Sequence, residues 1–189
     1  MGSLENQNDI IKGCIRGDRR AQHMLYKTFY GKMMAVCLRY AKDDDAAQDV
    51  CQEAFLKVFD RLKDFQDKGS LEGWIRRIMV TTSIDYIRKD KKFVTNLELE
   101  KVIEDESQNP SEEEQDSIFE GLDFERLKVY IQKLTPAYRS VFNLYVVEDY
   151  SHKEIAEMLG ISVGTSKSNL AKAKANLKKE ILKDIDNMV

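Results

Sequence analysis

The sequence predicts an all-α protein, with two small helical domains joined by an acidic flexible linker and a helix-turn-helix in the C-terminal domain. Apolar residues recur at helical spacing in both parts of the chain, and no period-two alternation indicates a strand. Between these parts, residues 95–125 hold twelve acidic residues against one base, Lys101. We therefore expect domains at residues 1–94 and 119–189, and a linker at 95–118 that cannot bury enough apolar surface to fold alone.

The starts of the first three helices are predicted from acidic and amide side chains. Asn8 or Asp9 begins a short helix that runs to Ile15, and Asp18 is the N-cap of a long helix. Residues 43–45 are three aspartates that place negative charge at the start of the third helix, where the helix dipole favours it.

The third and fourth helices carry clear apolar stripes. Ser70 is the predicted N-cap of the fourth helix, and Trp74 is expected in its core because its neighbours are apolar. The stripe of the third helix consists of Val50, Ala54, Val58 and Leu62.

The C-terminal part contains three signals of helix boundaries. Thr135 and Pro136 supply an N-cap and a proline at the first helical position. Ser151 and Glu154 form a capping box, and Gly160 ends that helix, because glycine enters the left-handed conformation without penalty.

The helix after Gly160 is predicted from about Val163 to Lys179 and is rich in lysine. Two short helices with the second one basic are what a helix-turn-helix needs to enter the major groove of DNA. The alternative is an ordinary helical hairpin with a solvated lysine face.

The net charge of −3 is unevenly distributed along the chain, because residues 95–125 carry −11 and the remainder carries +8. The acidic segment is either a solvated spacer or a mimic of DNA charge that covers a basic surface.

Several function classes find no support in the sequence. There is no run of about 18 apolar residues that would cross a membrane and no signal-peptide pattern at the N-terminus. No glycine-rich phosphate loop or catalytic motif is present, and His23 and His152 have no obvious partner. We expect no enzyme, no metal and no cofactor, and we expect a cytoplasmic location. The cysteines, expected to be reduced and buried, are Cys14, Cys37 and Cys51.

Two parts of the chain resemble the bacterial sigma factors of the extracytoplasmic-function group. The N-terminal resemblance lies in DAAQDVCQEAFLKVFDRLKDF followed by GSLEGWIRRIMVTTSIDYIRK, and the C-terminal one in LTPAYRSVFNLYVVEDYSHKEIAEMLGISVGTSKSNLAKAKANL. The resemblance implies that the chain binds core RNA polymerase and promoter DNA. An anti-sigma factor is a further candidate partner, and direct insertion into a membrane is not expected.

The resemblance assigns functions to named residues of the N-terminal domain. Asp49, Gln52 and Glu53, on one edge of the third helix, are implied to bind polymerase, although a solvated helix edge is the plain alternative. The residues implied to bind the −10 element are Phe65, Gln66, Asp67, Lys68, Ser70, Arg76, Arg77, Thr81, Thr82 and Arg88.

In the C-terminal domain the resemblance implies contacts with the −35 element, but two residues depart from the family pattern. Asn169 replaces a usual arginine, and Ser166 replaces a usual valine. A buried serine there needs a hydrogen bond, for which the Ser162 carbonyl is the candidate acceptor. The residues implied to bind the −35 element are Thr165, Lys167, Ser168, Asn169, Ala171 and Lys172.

Two other functions remain as alternatives. A helix-turn-helix regulator that acts without polymerase would need a sensing or phosphate-accepting domain in residues 1–92, which the sequence does not indicate. A helical protein-interaction module would not need the basic clusters that end both domains.

Overall fold

A computed structural model describes residues 4–89 and 124–186 of the chain, and every regular element in these ranges is helical. The predicted all-α class is therefore confirmed. Contacts between the helices divide the chain into two compact units, residues 1–85 and 86–189. The predicted linker and its boundaries at residues 94 and 119 lie outside the described ranges.

In the described ranges, the first unit contains three whole helices, one 3₁₀ turn and most of a fourth helix, whose last four residues belong to the second unit. The helices are α1 (Leu4–Ile15), α2 (Arg19–Tyr40), α3 (Asp44–Arg61) and α4 (Leu71–Lys89), with the turn at Leu62–Asp64. Asp18 caps α2 as predicted and accepts a hydrogen bond from the backbone N–H of Arg20, and Asp43, predicted only as a charge at the start of α3, accepts one from the backbone N–H of Ala46. α1 begins four residues before the predicted Asn8.

The core of this unit lies between α2 and α3, with α1 packed on α2. The predicted stripe of α3, from Val50 to Leu62, is fully buried. α4 adds Ile75 and Met79, which are also fully buried. A surface ion pair of 2.6 Å between Lys32 and Glu72 joins α2 to α4.

The three cysteines are buried and form no disulfide, as the sequence predicts. A hydrogen bond with Cys51 and burial raise the pKa of the Cys37 thiol. Burial also raises the pKa of the Cys14 thiol. These two thiols therefore stay protonated and behave as small apolar core residues.

The second unit contains the helix-turn-helix. Its elements are α5 (Phe124–Lys133), α6 (Pro136–Phe142), a π-helical turn (Asn143–Val147), α7 (His152–Leu159) and α8 (Val163–Asp186). α8 is the centre of this unit and packs against α5, α6 and α7. It ends at Asp186 and so extends seven residues beyond the predicted end at Lys179.

The caps around α7 agree with the sequence prediction. The Ser151 backbone N–H donates to the Glu154 carboxylate over 2.9 Å, and the Ser151 hydroxyl accepts from the Glu154 N–H. Gly160 has a φ of 69° and ends α7. These two features set the sharp turn between α7 and α8. No helix in the described ranges combines the length and apolar character needed to span a bilayer.

Candidate functional site

The predicted polymerase-binding residues lie together on one exposed edge of α3. Asp49, Gln52 and Glu53 are exposed, while Val50 and Ala54 point into the core. The Glu53 carboxylate pairs with the Lys57 ammonium, four residues on, over 2.8 Å. These three side chains are thus outside the core and accessible, and polymerase binding at this edge stays a prediction.

The sequence analysis missed an exposed apolar residue on the same edge. Leu56 lies four residues after Gln52 and three after Glu53, and it is 65% exposed. Its position off the buried stripe of α3 was the available signal. Single exposed leucines are common on protein surfaces, so what makes Leu56 a candidate contact is its place beside the predicted polymerase-binding residues.

The predicted −10 loop presents polar side chains to solvent. Gln66, Asp67 and Lys68 are exposed, and Asp67 has a left-handed backbone with φ of 57°. Phe65 is half-buried, with its ring centroid 5.6 Å from that of Trp74. Trp74 is itself half-buried, so the prediction that it belongs to the core is only partly right.

Ser70 and the predicted residues in the first half of α4 differ in exposure and in hydrogen bonding. Ser70 is exposed, and its hydroxyl accepts from the Gly73 N–H over 3.0 Å at the start of α4. Arg77 is exposed and Arg76 is half-buried. Thr81 is exposed, but its hydroxyl donates back to the Arg77 carbonyl over 2.9 Å.

Thr82 and Arg88 lie further along α4 and differ in exposure. Arg88 is exposed. Thr82 is 1% exposed and accepts a hydrogen bond from Lys57 over 3.3 Å. Because Thr82 packs against α3, the prediction that it approaches a base is wrong for this fold.

Two predicted −35 residues are buried within the second unit. Thr165 is 2% exposed, and its hydroxyl lies 2.8 Å from the Ser162 hydroxyl. Asn169 is 0% exposed, and neither amide atom has a hydrogen-bond partner among the described residues. A side chain without exposed surface cannot meet a base edge, so both assignments are corrected.

The exposed face of α8 begins at Lys167 and continues through half-buried Ala171 to half-buried Lys174. These positions are spaced i, i+4 and i+7 and therefore share one face. Lys174 was missing from the predicted site, although its spacing from Lys167 was visible in the sequence. Ser168 and Lys172 flank this face and are half-buried.

Ser166 is fully buried, as its replacement of an apolar residue predicts, but its partner differs from the predicted one. Its hydroxyl lies 2.9 Å from Nδ1 of His152, not on the Ser162 carbonyl. The expectation that His152 has no partner is therefore also wrong. Local sequence patterns could not predict this hydrogen bond, because His152 and Ser166 are fourteen positions apart in the chain.

In the described ranges, no group of three or more His, Cys, Asp or Glu side chains is arranged to hold a metal ion. What the arrangement offers is an acidic and apolar edge on α3, a polar loop before α4, and a lysine-bearing helix face on α8.

Two family models match the chain. Sigma-70 region 2 matches residues 25–93, and Sigma-70, region 4 matches residues 124–177. The RNA polymerase sigma-E factor of Streptomyces coelicolor is 32% identical over 149 residues, which cover 78% of this chain and 79% of that protein. The RNA polymerase sigma-H factor of Pseudomonas aeruginosa is 25% identical, with 96% of both chains covered. The ECF RNA polymerase sigma factor SigM of Bacillus subtilis is 26% identical, with 82% of this chain and 91% of that protein covered.

Proposed function

This chain belongs to the extracytoplasmic-function group of the sigma-70 family, and on that premise we propose which of its surfaces bind core RNA polymerase and the two promoter elements. As a sigma factor, it directs transcription initiation. The observation that carries the finer assignment is the presence, in one chain and in the family's order, of an exposed acidic edge on α3 and a helix-turn-helix whose second helix carries the exposed Lys167 and the half-buried Lys174 on one face.

The α3 edge binds core polymerase. Asp49, Gln52 and Glu53 provide charge and hydrogen-bond acceptors, and Leu56 provides an apolar anchor beside them. Charged rims set orientation and association rate, whereas a buried apolar contact contributes most of the affinity at an interface. The Glu53 carboxylate is exposed and the half-buried Lys57 also bonds to Thr82, so the Glu53–Lys57 pair contributes little to stability and polymerase can displace it at low cost.

The loop before α4 captures a base of the melted −10 element. An extruded base must be held by stacking and hydrogen bonds, since unstacking costs about a few kcal/mol. Gln66 and Asp67 supply hydrogen-bonding groups, and the Phe65–Trp74 ring pair borders the loop. Arg77 and Arg88, both exposed on α4, neutralise phosphates of the same strand.

The face of α8 that begins at Lys167 enters the major groove at the −35 element. Lys167 reads a guanine or binds a phosphate, and Lys174 binds a phosphate further along the groove. Thr165 and Asn169 act behind this face as packing residues. They are left out of the proposed contact surface because they are buried.

This function places the protein in the cytoplasm, where polymerase works, as a DNA-binding subunit without catalytic chemistry of its own. The chain supplies binding surfaces, and polymerase supplies the bond-forming step. An anti-sigma factor as a further partner stays a prediction.

The test is reconstitution with core polymerase, first by pull-down and then by run-off transcription on fragmented genomic DNA. The expected result is a stable complex and transcripts that start downstream of a shared pair of sequence elements. Duplex binding without polymerase binding would favour a helix-turn-helix regulator instead.

A further inference from the structure

Ser166 has a fully buried hydroxyl in the first turns of α8, on the side of the helix that also carries apolar residues. Its side chain is fully buried beside Leu170 and Ala173, which lie on the same side of α8. A buried hydroxyl without a partner costs about 1–3 kcal/mol, so a single good hydrogen bond decides whether serine is tolerated there. That bond is the 2.9 Å contact with Nδ1 of His152.

His152 is held from a second side. Its ring stacks on Tyr145 of the π-helical turn, with centroids 4.5 Å apart and planes 20° from parallel. His152 is also the first residue of α7, directly after the capping residue Ser151. One imidazole therefore connects the π-helical turn, α7 and α8.

The position of Ser166 in α8 connects this contact to the proposed DNA-binding face. Ser166 precedes Lys167, the first residue of the proposed −35 face, in the N-terminal turns of α8 that enter the groove. Successive residues on a helix point about 100° apart, so a partner that fixes Ser166 also fixes the direction of Lys167. A hydroxyl can donate or accept, so the bond forms with either neutral tautomer of His152.

We infer that the His152–Ser166 hydrogen bond is a positioning contact that sets the rotation of α8 against α7, and thereby the specificity for the −35 element. The contact replaces an apolar one with a directional one, which specifies a single arrangement of the two helices. This inference rests on the proposed −35 function of α8.

The test uses holoenzyme made from core polymerase and the full chain, on a promoter found by run-off transcription. Binding is compared between the intact promoter and one with a scrambled −35 element. The variants are Ser166→Ala, His152→Phe and the double variant. Phenylalanine keeps an aromatic ring for stacking on Tyr145 but cannot bond to Ser166.

The matched control is Ser140→Ala. Ser140 is also fully buried, but its hydroxyl donates to the Pro136 carbonyl within its own helix. This control therefore removes a buried hydroxyl without breaking a contact between helices.

Each single variant is expected to lower the preference for the intact −35 element by about fivefold, the equivalent of one net hydrogen bond. The double variant should lose no more than the worse single variant, because both remove the same contact. Ser140→Ala should leave the preference unchanged.

Unchanged preference in both single variants would overturn the inference, and so would losses that multiply in the double variant. If the wild-type holoenzyme itself ignored the −35 sequence, the proposed function of α8 would fail instead. If Ser166→Ala does not fold, the inference is tested by the His152→Phe variant and by the ¹⁵N chemical shift of His152 Nδ1 in the wild-type chain. A shift typical of a solvent-exposed imidazole in the wild-type chain would exclude the bond.

Discussion

Asn169 is the buried polar residue of α8 whose side chain has the fewest hydrogen-bond partners among the described residues. Its side chain has no exposed surface, and its amide has no partner among the described residues. Its buried neighbours Thr165 and Ser166 both have partners. A buried amide without hydrogen bonds costs free energy that an apolar side chain of the same size does not.

Replacing Asn169 by leucine should therefore stabilise the protein. Leucine has a similar shape and no polar atoms, so the free energy of unfolding should rise by about 1–2 kcal/mol. Urea unfolding of the full chain measures this change. The control is Asn176→Leu at an exposed position of the same helix, where only the difference in helix propensity, about 0.5 kcal/mol, is expected. A destabilised Asn169→Leu variant would indicate that a buried water satisfies the amide in solution.

Leu56 permits a test of affinity that is independent of stability. Leu56→Ala removes little buried surface in the free protein, so stability should change by less than about 0.5 kcal/mol. Affinity for core polymerase should fall by about 1–2 kcal/mol if the side chain is an interface anchor. Ile15→Ala, at a half-exposed residue of α1, is the control. Equal affinities for the two variants would remove Leu56 from the proposed interface.

At the scale of one element, the polar edge of α3 predicts the effect of reversing a charge. Glu53→Lys should weaken binding to core polymerase about tenfold or more, because it reverses a charge at the proposed interface. In the free chain the new lysine faces Lys57 one turn away, at a cost of only about 0.5 kcal/mol. Calorimetric titration of core polymerase with the folded variant measures the affinity.

The control for charge reversal is Asp9→Lys, an exposed acid on α1. If both variants bound core polymerase as well as the wild type, the α3 edge would be only a solvated surface.

The turn between α7 and α8 predicts opposite outcomes for two glycines. Gly160 has a φ of 69°, so an alanine there is strained, and Gly160→Ala should lower stability by about 1–2 kcal/mol. Gly164 lies inside α8, where an added Cβ meets only Ser162 Oγ at 3.5 Å. Gly164→Ala should raise stability by about 0.5–1 kcal/mol. Thermal unfolding of the two variants measures both changes in stability. Equal unfolding midpoints would contradict the requirement for a glycine at Gly160 in the turn.

For the whole molecule, charge is distributed very unevenly along the chain. The acidic segment 95–125 carries −11, whereas the remainder carries +8 and includes both proposed DNA-binding surfaces. An acidic segment tethered to basic surfaces competes with DNA for them through an interaction that salt screens.

Deleting residues 98–116 should therefore strengthen binding to duplex DNA, and more so at low salt than at high salt. A variant of wild-type length, with the acids of this segment changed to their amides, separates charge from length. Filter binding over a range of salt concentrations measures both. Equal affinities of all three proteins at low salt would leave the segment as a spacer only.

The sequence by itself determined the helices, their caps and the turn at Gly160, because these depend on residues within a few positions of one another. Asp18 and Ser151 cap helices as predicted, since a side chain and the N–H groups that it accepts from are local. The exposed edge of α3 could also be predicted, because its apolar stripe leaves only one side free.

Only the tertiary structure decided that Thr165 and Asn169 are buried and which side chains meet across the turn between α7 and α8. Leu170, Leu177 and Ile181 mark one buried side of α8 in the sequence, but hydropathy does not assign the small polar residues Thr165 and Asn169 to either side. Packing of α5, α6 and α7 around α8 buries Thr165, Ser166 and Asn169 and leaves Lys167 outside. The bond from Ser166 to His152 depends on this packing, because it joins residues that the fold alone brings together.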